Sequence, residues 1–493
     1  MITRFWRIDT IPSGMHIDEI GMAYDAWSLS QFGVDRYLKS WPVYLTNFGG
    51  GQSSLYCFLC AGLFKLFGYH ILLVRLPGIL GSLLGMLFGM LLTGKLFPEK
   101  RYLPILTGII FTACPYFILA SRIGLDCNLM MGFSVMFLYW FTLALEKGQY
   151  GYYALAGLTG GLVLYTYAIS YIVLPLFLIC SLLYEVRMKR FSIRHWAVMA
   201  IPMGILAFPL IMVQIINMFD LPEMKLGIFT LTKLEFYRAA EVGFPKWTHF
   251  VRVLTSIFIG DPLIYNSIPG FPNLYFLTTP LCFLGLVHCM GKLALSWRRR
   301  QCCREVYSLF WFLAMVLTGS TTISNSNKIN GVFGAVVLLA VEGVFVLTVV
   351  LQKHAKILVT GIGIIYGGLL LHFGSYYYTG KYTLENYPLN YFHIMVSEAI
   401  DFLEANPEYQ NKGTCMAQPG ICYALSSLQA PMDLGAIEDV GIYNDWYHTG
   451  ALGLIDKEYN YIVTDIYVEY AQELRDLGYY EIKYPNYSLF YME

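Results

Sequence analysis

The chain has 493 residues, of which 57% are hydrophobic and 13% charged, with 33 basic and 33 acidic side chains and no net charge. A soluble globular protein carries about 25% charged residues, so this composition excludes that class and points to a membrane protein. The zero net charge excludes a chain built to hold nucleic acid electrostatically.

Met1 is followed by Arg4, Trp6 and Arg7, with neither an apolar run nor a signal-peptide pattern. The reading is that a first membrane helix is missing; a short tail that crosses unaided is the alternative. Residues 14–54 are expected to be a polar, aromatic outer loop. It reads His16-Ile17-Asp18-Glu19, Tyr24-Asp25-Ala26-Trp27, Trp41-Pro42 and Phe48-Gly49-Gly50-Gly51-Gln52-Ser53. Adjacent carboxylates at a membrane surface are costly to keep unless they bind or transfer something. A hydroxyl is a poor nucleophile at neutral pH, and a carboxylate that takes its proton lowers the barrier. The neighbouring acid then tunes the base, orients the acceptor or holds a divalent cation. Tyr24, Trp27, Trp41 and Tyr44 offer flat faces, either to stack on sugars or to form an interfacial belt.

Residues 53–68 are apolar but short and include Lys65, which suits an interfacial helix or half-span. Apolar runs long enough to cross a bilayer follow near 74–96, 102–120, 128–145, 150–169, 171–186, 196–216, 274–291, 306–320, 331–351 and 355–373. The basic connectors hold Lys95, Lys100 and Arg101, then Arg187 to Arg194, then Lys292 to Arg304, then Lys353 and Lys356. With the spans alternating, all of these fall on one side, which the positive-inside rule makes cytoplasmic. The other face receives 1–73, 121–127, 217–273, 321–330 and everything after 374.

Three more polar stretches lie on that outer face. In Ser121-Arg122-Ile123-Gly124-Leu125-Asp126-Cys127-Asn128, Arg122 either grips a phosphate with its fork or pairs with Asp126 at i, i+4. Residues 321–331, Thr-Thr-Ile-Ser-Asn-Ser-Asn-Lys-Ile-Asn-Gly, are dense in hydrogen-bonding groups around one cation, Lys328. The long stretch 217–273 either covers an acceptor groove or is spacer, and no residue in it is assigned a role. The eleven cysteines are scattered without zinc-site spacing. Cys415 and Cys422 are either a pair or two free thiols.

From 381 onward there are five basic and seventeen acidic residues. Tyr391–Ala405 has the spacing of an amphipathic helix. Tyr461–Thr464 and Tyr487–Tyr491 read as strands, with a helix over Tyr467–Leu477. These elements predict a small α/β domain.

The Pro-x-Gly-x-His start with Asp-Glu, the Tyr-Asp-Ala-Trp, Trp-Pro-x-Tyr and Phe-Gly-Gly-Gly-Gln-Ser segments, and Ser-Arg-x-Gly-Leu-Asp resemble the GT-C superfamily of integral-membrane glycosyltransferases. The nearest branch is the bacterial one related to protein O-mannosyltransferases and lipid A aminoarabinose transferase. The resemblance implies an α-helical multi-span membrane protein of about ten helices. Residues 1–378 would form the transmembrane domain and 379–493 a soluble extracytoplasmic α/β domain, at the plasma membrane. It implies transfer of a sugar from a polyprenyl-phosphate donor to an acceptor hydroxyl on a glycan, lipid or protein, with inversion. Asp18 would be the base or site organiser and Glu19 its partner. Arg122 and Lys328 would face the donor phosphate. His16, Tyr24, Trp41, Gln52, Asp126 and Asn128 are the expected substrate-binding residues. Some relatives carry a second acid before Pro-Pro-Leu-Tyr; here Gln52-Ser53-Ser54-Leu55-Tyr56 stands instead, which leaves a bound metal open. The alternatives are a transporter or flippase of a lipid-linked sugar, or a non-catalytic membrane scaffold. A transporter needs polar groups at the bilayer midplane, where the spans are apolar apart from Glu342.

Overall fold

A computed structural model describes residues 1–12, 14–47, 50–237, 242–261, 263, 265–379, 392–393, 397–409, 413–416, 455, 459–464, 468–484 and 487–492. Short α1 (Ile2–Phe5) is followed by β1 (Met15–His16), α2 (Ile17–Phe32), the hairpin β2 (Tyr44–Asn47) and β3 (Gly50–Ser53), and α3 (Ser54–Phe67). Next come α4 (Ile71–Leu96), α5 (Tyr102–Ala113), α6 (Pro115–Ala120), α7 (Asn128–Lys147), α8 (Tyr150–Leu164), α9 (Ser170–Arg187) and α10 (Ile193–Met218). A second hairpin, β4 (Met224–Leu226) and β5 (Phe229–Leu231), precedes α11 (Trp247–Phe258), α12 (Thr278–Arg299), α13 (Val306–Gly319), α14 (Val332–Val350) and α15 (Ala355–Tyr377). The tail holds β6 (Phe392–His393), α16 (Ser397–Ala405), β7 (Gly413–Met416), β8 (Tyr459–Thr464), α17 (Val468–Asp476), β9 (Tyr480–Lys483) and β10 (Tyr487–Tyr491).

Each apolar run read from the sequence contains helix, although the run at 150–169 is helical only to Leu164 and that at 274–291 only from Thr278. Among the described residues, seven helical stretches are long and apolar enough to cross a bilayer: α4, α7, α9, α10, α12, α14 and Gln352–Tyr377. The run at 102–120 is two helices, because Pro115 forces Cys114 into extended backbone (φ −70°, ψ 136°). The expected outer loop at 14–54 is not loop alone. It contains the 16-residue α2, closed at its C-terminus by Gly33 in the left-handed region (φ 75°).

Residue contacts divide the chain into two compact units. The first comprises Met1–Ile11, Pro42–Leu59 and Ile71–Tyr387. Its helices pack closely because small residues let backbones approach, the usual device where lipid removes the hydrophobic drive between helices. A β-carbon on Gly285 of α12 would overlap the Leu339 carbonyl of α14, and one on Gly343 would overlap the Leu281 carbonyl. Within α4, Pro77 removes a main-chain donor. The Tyr56 hydroxyl is inserted there: it donates to the Val74 carbonyl (3.0 Å) and accepts from the Gly78 N–H (3.1 Å).

The second unit comprises Pro12–Trp41, Cys60–His70 and Pro388–Glu493. Thus the segment carrying Asp18 and Glu19 clusters with the tail, and the division is not one cut near 379. Its sheet has the order β7-β8-β10-β9, with β7 parallel to β8 and the other pairs antiparallel. Tyr461, Val463, Leu474 and Phe490 form its core. The two strands expected from the sequence are present, and the helix between them spans Val468–Asp476. The helix expected over Tyr391–Ala405 starts only at Ser397. Phe392–His393 is instead a strand whose pairing with β1 ties the tail to Met15 and His16, and 391 and 394–396 lie outside the described residues, as does Cys422.

Gly343→Leu should destabilise the α12–α14 contact by at least the ~1–3 kcal/mol typical of overpacking. The measurement is the melting temperature of the purified protein in detergent, with Gly361→Leu, which meets open space, as the mild control.

Candidate active site

In the second unit, the first turn of α2 gives the adjacent acids different jobs. Helix N-termini leave orphan N–H groups. The His16 side chain accepts one of them, from Asp18 N–H to Nδ1 at 3.1 Å, and Glu19 turns back so that its Oε2 accepts the His16 N–H at 3.1 Å. This reciprocal cap buries Glu19 completely, and losing such a cap typically costs ~1 kcal/mol. The Asp18 side chain keeps 39% of its surface exposed. It carries the helix N-terminal partial charge on its side, which favours a carboxylate there. His16 accepts at Nδ1 and burial lowers its pKa. It is therefore neutral, and its 3.8 Å approach to Asp18 is not an ion pair.

Further along α2 lies a pair that the sequence reading did not single out. Asp25 is fully buried; its Oδ1 accepts the Arg36 N–H at 3.1 Å and its Oδ2 stands 3.1 Å from Arg36 Nη2. Asp35 shapes the return, accepting from the Tyr37 and Lys39 N–H groups at 2.9 Å each. The available signal was the second acid–base pairing, Asp25 against Asp35-Arg36, eleven residues apart. Tyr24 and Trp27 are buried and pack on each other, with ring centroids 6.0 Å apart. They are interior, not open sugar-stacking faces. Trp41 is partly buried in left-handed backbone (φ 39°).

In the first unit, three distant stretches meet. Asp126 Oδ2 accepts the Ser53 N–H of β3 at 2.9 Å, and Oδ1 accepts the Cys127 N–H at 2.8 Å. Asn128 donates to the Ile123 carbonyl at 2.8 Å and accepts from Asn330 Nδ2 at 3.1 Å. Segments 50–53, 121–128 and 324–331 are thereby joined. The last is shaped by Asp261, which accepts from the Leu263 and Ser326 N–H groups, and by Arg252, which donates to the Ser324 carbonyl at 2.8 Å. Half-buried Lys328 rides on it, its N–H held by Asn325 Oδ1 at 2.9 Å. Gln52 Oε1, Ser53 Oγ, Ser134 Oγ and Asn330 Oδ1 are buried with no hydrogen-bond partner among the described residues, a condition that usually marks a role.

Arg122 requires a correction. It is fully buried and donates to the carbonyls of Arg4 (2.9 Å), Trp6 (2.8 Å), Arg7 (3.0 Å) and Ile11 (2.6 Å). Tyr377 and Tyr378 flank it, with centroids 5.5 and 5.3 Å away. A guanidinium whose fork is turned onto these carbonyls anchors residues 4–11, and it does not pair with Asp126. Among the described residues no three His, Cys, Asp or Glu side chains are placed to hold a metal ion.

The family model described as dolichyl-phosphate-mannose-protein mannosyltransferase matches residues 52–216. A crystal structure of ArnT from Cupriavidus metallidurans bound to undecaprenyl phosphate is 12% identical, with a TM-score of 0.58 over 99% of this chain and 96% of that one. The apo structure of the same protein is 13% identical, with a TM-score of 0.60 over the same shares. None of the curated proteins compared matches the chain. The likeness spans nearly the full length of both chains and shows that this chain shares the fold of that structure.

Burial pushes the Asp25 carboxyl up to about 7, against the opposing pull of Arg36. The folded state thus holds this proton more tightly than the unfolded chain does. The corresponding stability is fully present below about pH 4 and is lost as pH rises through 7. Asp25→Asn should flatten that slope in melting temperatures taken from pH 4 to 8. It should also lower them throughout, since an unpaired buried guanidinium costs about 3–5 kcal/mol.

Proposed function

We propose that this chain is a membrane glycosyltransferase that moves a sugar from a polyprenyl-phosphate donor to an acceptor hydroxyl, with inversion at the anomeric carbon, on the outer face of the membrane. The observation that carries the reading is the division of labour at the start of α2: Glu19 is consumed as a cap, while Asp18 is left half-open beside it. Asp18 is the base that takes the acceptor proton as the new bond forms. Such a group contributes about 10²–10⁴-fold to rate.

The leaving phosphate gathers negative charge as the glycosidic bond breaks, and a positioned cation stabilises it. Lys328 fills that role in this reading, since Arg122 is committed to carbonyls. The unpartnered Gln52, Ser53, Ser134 and Asn330 atoms suit a hydroxyl-rich ligand, because a buried polar group without a partner is expensive until one arrives. The GT-C fold and the mannosyltransferase family match support the reaction class. The ArnT structure holds undecaprenyl phosphate, which supports a polyprenyl-phosphate donor here. The tail unit is extracytoplasmic in this reading, because the basic connectors lie at the opposite ends of the helices.

The test is transfer of radiolabelled sugar by purified protein from polyprenyl-phosphate donors, beginning with mannose. Asp18→Asn should lower the rate at least 10²-fold without changing the melting temperature, and Lys328→Met should lower it with a weaker grip on the donor. Full transfer by Asp18→Asn, or no transfer from any donor in the panel, sinks the reading.

A further inference from the structure

The first unit carries a groove that the transfer reaction does not use, where its basic connectors gather. Arg304, just before α13, stands 3.3 Å from Glu146 in the last turn of α7. Arg190 donates to the Leu145 carbonyl, and Arg187 to the Trp297 carbonyl at 2.9 Å. Beside them a groove of about 580 Å³ lies between the ends of α4 and α7 and the first turn of α5. Cavities of about 300–1,000 Å³ are of a size to take a small organic ligand.

The walls of the groove are apolar along most of their length, built from Leu87, Met90 and Leu91 of α4 with Pro98, Pro104 and Tyr139. Leu87 and Leu91 are 49% and 42% exposed, so one side is open to the bilayer. Met90 also borders a second, mostly apolar cavity of about 490 Å³, which continues the apolar path toward the middle of α4. At the other end the lining turns ionic, with Lys95, Glu146 and Arg304. Half-buried Lys95 has no ion pair or side-chain hydrogen bond among the described residues. The Arg304–Glu146 approach is misaligned: Glu146 Oε2 is buried and accepts no hydrogen bond, so the guanidinium is not closed on it as a bidentate fork would be. Lys147 Nζ lies 3.9 Å from the other oxygen of Glu146. One carboxylate is thus shared by two cations, and with Lys95 this end of the groove is net positive.

The groove is remote from the polar segments of the candidate site. A β-carbon on Gly78 of α4 would stand 3.5 Å from the Ser121 carbonyl oxygen, whereas one on Gly94 would meet Pro104, also at 3.5 Å. Sixteen residues of helix separate the two glycines, about 24 Å at helical rise.

We propose that this groove binds an anionic phospholipid, with one acyl chain against Leu87, Met90 and Leu91 and the headgroup phosphate between Lys95 and Arg304. A free anion needs the cations alone and leaves two turns of apolar wall without a role. A neutral lipid needs the wall alone and leaves Lys95 unpaired. A cation in the last turn of α4 is favourable in itself, but that does not require its side chain to line an apolar groove. The positive-inside rule assigns this end of the helices to the cytoplasm, where the leaflet is rich in anionic lipid and basic pockets between membrane helices take lipid headgroups. The inference is independent of the sugar, donor and base assigned above.

Native mass spectrometry of the full chain in detergent, titrated with dioleoylphosphatidylglycerol or dioleoylphosphatidylcholine, tests it without any transfer assay. One phosphatidylglycerol should bind at least tenfold more tightly than phosphatidylcholine. Lys95→Gln should weaken it about fivefold, and Lys95→Gln with Arg304→Gln about 25-fold, at the usual worth of one basic residue near a headgroup. Gly94→Leu keeps every charge and suits a helix better; it should abolish the tight site by filling the groove. Lys353→Gln, an exposed basic residue outside the lining, should change nothing. Melting temperatures confirm that each variant is folded, and if the double variant is not, Lys95→Gln and Gly94→Leu decide. Equal affinity for the two lipids, tight binding that survives Gly94→Leu, or an equal loss in Lys353→Gln overturns the proposal. Displacement of the lipid by inorganic phosphate at matched concentration also overturns it, since that is the behaviour of a simple anion site.

Discussion

Main-chain groups at the ends of apolar helices have little water to turn to, so each must find a partner inside the protein. Much of this molecule follows from that constraint. Asp126 satisfies the N–H groups of Ser53 and Cys127, and Asp261 those of Leu263 and Ser326. Arg122 does the reverse, gathering the carbonyls of residues 4–11. Beside Pro77, the Tyr56 hydroxyl bridges the Val74 carbonyl and the Gly78 N–H. Ionic side chains here serve mostly as partners for the backbone. They join segments 65 to 118 residues apart.

The same accounting separates residues available for chemistry from those already engaged. Glu19 and Asp126 have carboxylate oxygens committed to N–H groups, and Arg122 has its fork committed to carbonyls. Asp18 keeps much of its surface open. A handful of buried amide and hydroxyl atoms near Gln52 and Asn330 have no partner among the described residues.

The polar motifs were visible in the sequence because they interrupt long apolar runs, and each of those runs is mostly helix. The helix α2 was not visible. It is buried on almost every side, so it has no apolar stripe against a polar face, the pattern by which a helix is usually read. The break between α5 and α6 had a local signal in Pro115. The engagement of Arg122 had none, because its partners are main-chain oxygens, which carry no sequence signature. The pairing of β1 with β6 joins residues nearly four hundred positions apart, and two-residue strands leave no alternation to detect.

By itself the sequence determined the membrane class, the positions of the apolar helices, the acidic α/β tail and the stretches in which polar chemistry is concentrated. Composition and hydrophobic run length are local properties, and the bilayer reads them locally. Only the tertiary structure decided which member of each polar motif was buried and which stayed exposed. Asp18 and Glu19 are chemically near-equivalent neighbours, and one is withdrawn from chemistry only because the chain turns at His16 and needs a cap. Arg36 gained its place against α2, beside Asp25, only because Gly21 leaves room for its guanidinium. Such assignments depend on contacts between distant segments, which the order of residues does not record.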